Sequence, residues 1–175
     1  YVTFSSTGNG ADFGDLTESV ASPSAASNDV RAIRTSGYTP SSSNVIDYFS
    51  MNHAGNAIDF GDLTTSGYGK ESLSSPTRVL TAGGIDSGFT NVIDYIQINV
   101  LGNATDFGDL HKAHMDTGPV ASSTRGCWGG GRTDQAGGEV TRIDTVEIAT
   151  LANASDFGDL TNDRGYLGGC SNNKR

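Results

Sequence analysis

The pentapeptide Asp-Phe-Gly-Asp-Leu occurs four times, beginning at Asp12, Asp59, Asp106 and Asp156, so this 175-residue chain repeats itself at spacings of 47, 47 and 50 residues. A period in that range belongs to repeat architectures whose units are too small to bury their own apolar faces and must stack on one another. The phase reaches beyond the pentapeptide. Asn9, Asn56, Asn103 and Asn153 stand three residues before each copy, and Arg31, Arg78, Arg125 and Arg175 stand nineteen after it. Asn-Val-Ile-Asp-Tyr recurs at 44–48 and 91–95, with Thr141-Arg142-Ile143-Asp144-Thr145 as a weaker third copy. The three extra residues of the last period fall between Arg125 and Thr145, which lengthens the Gly-rich segment Gly129 to Gly138 and marks it as a surface loop.

Around Val92-Ile93-Asp94-Tyr95-Ile96-Gln97-Ile98 apolar and polar residues alternate, which at a period of two reads as a strand. One alternate set across the units holds Val2, Phe49, Ile96 and Val146, then Phe4, Met51, Ile98 and Ile148; the other holds Ile46, Ile93 and Ile143, then Tyr1, Tyr48 and Tyr95. Strands that are apolar on both faces must be covered on both faces, so the sheets stack. Gly and Ser/Thr/Asn clusters interrupt the pattern too often for helix. Each period offers about four short strands, and repeated four-stranded sheets describe the blades of a β-propeller. The expected fold is all-β: one propeller domain over 1–175, closed with four blades or part of a larger wheel. Its units run about 1–47, 48–94, 95–144 and 145–175, the last incomplete. The pentapeptide reads as a turn with an anchor. Asp12, Asp15, Asp59, Asp62, Asp106, Asp109, Asp156 and Asp159 are turn formers beside Gly14, Gly61, Gly108 and Gly158, while Phe and Leu reach the core.

The residues also carry a resemblance. Val79-Leu80-Thr81-Ala82-Gly83-Gly84 followed by Tyr95 and Phe107, and Cys127-Trp128-Gly129-Gly130 followed by Phe157, resemble a degenerate kelch-type repeat in which Phe replaces the usual Trp. The Asp-x-Gly core resembles the turn of the sialidase Asp box, without its Ser and Trp. The longer pattern Asn-Val-Ile-Asp-Tyr-Ile, then Gly-Asn-Ala-Thr-Asp-Phe-Gly-Asp-Leu, then Ser-Ser-x-Thr-Arg-Gly and Gly-Gly is similar to repeats in virion and tail-fibre proteins of marine bacteriophages, cyanophages above all. That likeness spans nearly the whole chain. It implies a virion or extracellular location, with other virion proteins or copies of the chain itself as partners.

Chemistry should show as broken symmetry, because catalysis needs unlike groups at one point and a repeat supplies one group several times. Few residues break it. His53, His111 and His114 share no phase, and the stretch His111-Lys112-Ala113-His114-Met115-Asp116 reads as a solvated loop. No nucleophile elbow or phosphate-cradling loop is present. The eight pentapeptide Asp offer oxygens for Ca²⁺ but read more simply as turn caps, so no cofactor is expected. Arg31, Arg78 and Arg125 form either an anion-facing ring or links to neighbouring carbonyls, and Trp128 is an available ligand platform. Asn103-Ala104-Thr105 and Asn153-Ala154-Ser155 match the glycosylation sequon but lie inside the repeated turn. Cys127 and Cys170 read as small core thiols. A net charge of −9 excludes a phosphate-tracking surface, hence nucleic acid, and no apolar run is long enough to insert in a membrane. The function expected is a non-enzymatic structural or adhesion module presenting loops to a protein or a host-surface glycan. The alternatives are a multivalent lectin, for which Tyr38, Tyr68 and Trp128 are the aromatics, and a glycoside-processing enzyme with paired carboxylates.

Overall fold

The computed structural model describes residues 1–3, 5–134 and 138–171. Phe4 of the apolar set, Arg175 of the Arg series and part of the Gly-rich loop lie outside the described residues. Among those described there are twelve strands and no helix. Three antiparallel four-stranded sheets follow one another along the chain. The first holds β1 (Ser24–Ser27), β2 (Arg31–Tyr38), β3 (Ser42–Ser50) and β4 (Ile58–Gly67). The second holds β5 (Glu71–Ser74), β6 (Arg78–Ala82), β7 (Val92–Gln97) and β8 (Thr105–Asp109). The third holds β9 (Gly118–Ala121), β10 (Arg125–Gly129), β11 (Val140–Glu147) and β12 (Ser155–Arg164). Each sheet therefore closes on a pentapeptide, and the unit bounds expected near 47, 94 and 144 fall inside β3, β7 and β11.

Local chemistry repeats with the phase. The turn from the first to the second strand is held by one side chain. Asn28 Oδ1 accepts from the amides of Val30 and Arg31, Ser75 Oγ from Thr77 and Arg78, and Ser122 Oγ from Thr124 and Arg125. Three of the four pentapeptides lie in the outer strands β4, β8 and β12 rather than in turns, which corrects the sequence expectation. The Asx bond anticipated there does form: Asp12, Asp59, Asp106 and Asp156 each accept from the amide of the Gly two residues on. In the sheets it shapes a β-bulge. Pairing steps from Ile46↔Gly61 to Asp47↔Asp59, from Ile93↔Gly108 to Asp94↔Asp106, and from Ile143↔Gly158 to Asp144↔Asp156. Phe60, Phe107 and Phe157 are the extra residues, and the bulge re-aims them within the strand.

The sheets pack face to face. Ile33, Ile46, Phe60 and Leu63 of the first sheet meet Val79, Ile96 and Ile98 of the second. The opposite face of the second sheet, Leu73, Leu80, Ile93, Phe107 and Leu110, meets Trp128, Val146 and Ile148 of the third. Two apolar faces on one sheet are thus both buried, as the double alternation requires. Residues 9–17 lie against the outer side of the first sheet. Tyr1 and Ala11 exchange backbone bonds at the phase of the Tyr48↔Ile58 pair, and Phe13 packs on Phe49 with ring centroids 5.3 Å apart. Cys127 and Cys170 are unpaired thiols, one half-buried and one exposed. They are not core residues: Cys127 sits on the open face of the third sheet, at the phase where Ile33 and Leu80 are buried, and Cys170 lies on the segment beyond β12.

Candidate functional site

Most phased polar residues join one sheet to the next. Asn56, Asn103 and Asn153 accept, through Oδ1, the amide of the second pentapeptide Asp of the preceding unit: Asp15 at 3.0 Å, Asp62 at 3.1 Å and Asp109 at 3.0 Å. Backbone bonds flank the clamp, from Gly55 to Phe13 and Ala57 to Asp15, from Gly102 to Phe60 and Ala104 to Asp62, and from Ala154 to Asp109. The two segments come so close that a Cβ on Gly14, Gly61 or Gly108 would lie 2.3, 2.6 or 2.6 Å from backbone atoms of the next unit. All three Gly have φ near +145°, a region that side chains other than Gly rarely adopt. Both sequon Asn side chains are committed to these clamps.

The phased Arg residues form the second link. Arg31 donates to the Ile98 carbonyl at 3.0 Å and lies over Tyr48; Arg78 donates to the Ile148 carbonyl at 2.7 Å and lies over Tyr95. Arg125 pairs instead with Glu147 at 3.2 Å, both side chains more than half exposed. Arg31 and Arg78 therefore serve the neighbouring-carbonyl alternative, and the structure does not bring the three guanidinium groups together at one site.

A third link was missed in the sequence. Asp47, Asp94 and Asp144 of the Ile-Asp pair are buried to 0, 1 and 0% exposure. Each accepts from the residue just after the preceding pentapeptide: Thr17 and Thr64 through both amide and hydroxyl, His111 through its amide. A buried carboxylate needs a cation or several donors. Asp47 has Arg34, Asp144 has Arg142, and Asp94 has the charge of the buried Lys70 nearby. Desolvation raises the Asp94 pKa against the Thr64 bonds and Lys70, and it lowers that of Lys70. The signal that could have found them was an invariant Asp in the middle of an apolar strand motif.

Symmetry-breaking residues also turn inward. Trp128 is fully buried between the second and third sheets, its Nε1 donating to the Glu71 carbonyl at 3.1 Å, so it is no ligand platform. Tyr38 and Tyr68 meet edge to face, centroids 5.2 Å apart, instead of serving one unit each. His114 is buried to 1% exposure, which corrects the solvated-loop expectation, because its backbone links the sheets by accepting from Gly84 at 2.9 Å. Burial lowers its pKa, and Nε2 has no hydrogen-bond partner. Glu71 is pushed up to about 7 by desolvation, opposed by a Ser24 hydroxyl bond and assisted by Asp116. Among the described residues no three His, Cys, Asp or Glu converge as a metal site.

One concave surface gathers residues from every unit. The first turns of the three sheets converge on a cleft of about 440 Å³, with Asn28, Ser75 and Ser122 at equivalent positions and Ser171 beside them. Its walls are mostly hydroxyls, amides and backbone, with Val30, Pro76 and Ala121 between them and Asp29 as the one charged side chain among the described residues. The turns are cross-braced: Asn28 Nδ2 donates to the Pro76 carbonyl at 3.0 Å, Ser74 Oγ to the Ser27 carbonyl at 2.7 Å, and the Ala121 amide to Ser171 Oγ at 3.1 Å. Such a surface is suited to binding polar, hydroxyl-rich ligands through hydrogen bonds. No protein-family model and no curated protein matches this chain.

Proposed function

We propose that the chain is a non-enzymatic structural and adhesion module, a run of β-propeller blades of the kind carried by virions and tail fibres, that presents its turns to a host-surface glycan. The observation that carries this reading is the braced, hydroxyl-lined cleft where the first turns of all three sheets meet. Rigid polar loops on a packed β scaffold are where recognition is placed. The blade arrangement is supported by the double-faced packing of the second sheet and by the contact of the first strands β1 with β5 and β5 with β9. A single carboxylate among the described residues of the cleft suits binding rather than glycoside hydrolysis, which uses two flanking carboxylates. The repeat likeness to virion proteins supports the location.

The test is a glycan array probed with the full chain, paired with an assay for release of reducing sugar. Retention of polar glycans that Ser75→Trp and Ser122→Trp abolish, without hydrolysis, is expected. Retention unaffected by both substitutions, no retention at all, or hydrolysis of the bound glycan would overturn the reading.

A further inference from the structure

The clamp that joins the units occurs three times within the chain, and each of its two halves also occurs once unused. The unused acceptor half is Gly8-Asn9-Gly10, at the phase of Gly55-Asn56-Ala57: it is exposed, and Asn9, unlike Asn56, Asn103 and Asn153, has no hydrogen-bond partner among the described residues. The unused donor half is Phe157-Gly158-Asp159 on β12. Phe157 is 56% exposed where Phe60 and Phe107 are 3%, and a Cβ on Gly158 would meet nothing within 4 Å although its φ of +139° matches the occupied copies. Around it the third sheet leaves an apolar hollow of about 560 Å³ lined by Val120, Cys127, Ile143, Leu160 and Leu167. The phases of Cys127, Ile143 and Leu160 are buried in the first two sheets, as Ile33 and Leu80, Ile46 and Ile93, and Leu63 and Leu110.

We infer that this face of β12 binds the Gly8-Asn9-Gly10 segment of a second copy of this chain, head to tail, by the clamp that joins the sheets within one copy. The occupant follows from continuity with that interface. The Asn9 side chain accepts from the Asp159 amide, as Asn56 does from Asp15, Asn103 from Asp62 and Asn153 from Asp109. The Gly8 and Gly10 amides donate to the carbonyls of Phe157 and Asp159, as Gly55 and Ala57 do to those of Phe13 and Asp15. The interface is heterologous, so every copy carries one half of each kind and association continues until a ring closes.

The experiment is sedimentation velocity of the full chain from micromolar to about millimolar concentration, a range spanning weak to moderate affinities. Wild type should move from 18.1 kDa to multiples of it. Phe157→Asp and Asn9→Trp, both exposed in the single chain, should each raise the dissociation constant at least about tenfold, as loss of an interface anchor does, with unchanged circular dichroism and melting temperature. Because the two variants block opposite halves, mixing them should restore one joint and stop at a dimer. A wild-type mass that stays at 18.1 kDa throughout, or association that survives both substitutions, would overturn the proposal. Neither outcome bears on glycan binding at the cleft.

Discussion

The second and third sheets carry the same repeat and meet different surroundings. Ile93, Phe107 and Leu110 of the second sheet are 0, 3 and 2% exposed, whereas Ile143 and Leu160 of the third are half-buried and Phe157 is 56% exposed. Arg78 reaches the carbonyl of a following sheet; Arg125, at the same phase, turns back to Glu147. Identical residues thus take their energetic weight from whether a neighbour stands over them, as expected when stability is a sum of unit and interface contributions. The comparison also separates what a motif does for its own strand from what it does for its neighbour. The Asx bond and the bulge form in both sheets. Only in the second does the bulge hold a Phe inside a core.

The comparison is most strained by a pair of matched substitutions. Gly108→Val places a side chain 2.6 Å from the Ala152 carbonyl oxygen at φ +144°, and we expect a loss of more than about 4 kcal/mol, enough to unfold the chain. Gly158→Val carries the same backbone strain without the clash and should cost about 1 to 3 kcal/mol in urea titration. Equal losses would show that the turn-like backbone, and not the neighbour, makes Gly essential.

Phe107→Ala should cost about 3 to 5 kcal/mol, the range for a buried aromatic, and Phe157→Ala less than about 1. Urea midpoints measured on both proteins at low concentration check this. Arg78→Ala removes a half-buried charged hydrogen bond and a ring contact, for about 1.5 to 3 kcal/mol, against about 0.5 for the exposed Arg125 pair. A cost at Arg125 matching that at Arg78 would mean that its pairing with Glu147 replaces the lost link.

The smallest effect concerns pH. Glu71 binds its proton more tightly folded, at about 7, than at the ordinary 4.5, so the folded state holds the extra proton between those values. Its contribution is therefore most favourable at low pH and declines as pH rises from about 4.5 to 7. His114, whose folded pKa is lowered, works in the opposite sense as pH falls through its ordinary 6.5. The difference in melting temperature between Glu71→Gln and wild type isolates the first: it should grow in favour of the variant from pH 4.5 to 7 and stay flat above.

The sheets and their stacking were legible because period-two alternation on two faces and a fixed repeat phase leave few alternatives to layered β units. The pentapeptide's place was not, since an Asx bond beside Gly looks the same in a turn and in a bulged strand; the register that decides between them is set by the facing Ile-Asp pair. The Arg series was visible as phase, with links to neighbouring carbonyls as one of its two readings, whereas the Asn series was visible as phase but not as links, because its partners are backbone amides, which a sequence does not display. Asp47, Asp94 and Asp144 went unread since a carboxylate in a strand is ordinarily solvated. Trp128 shows the converse: a lone Trp in a polar chain invites a binding role, yet it is the largest fully buried side chain and packs between the second and third sheets.

The central claim is that the repeated residues are joints, protected only where the next unit is in place. Amide hydrogen exchange in the dilute single chain, read residue by residue, measures this directly. The Asp62 and Asp109 amides, held by Asn103 and Asn153, should exchange only with global unfolding, while the Asp159 amide should exchange faster by at least about a hundredfold. Equal protection at all three positions would contradict the account.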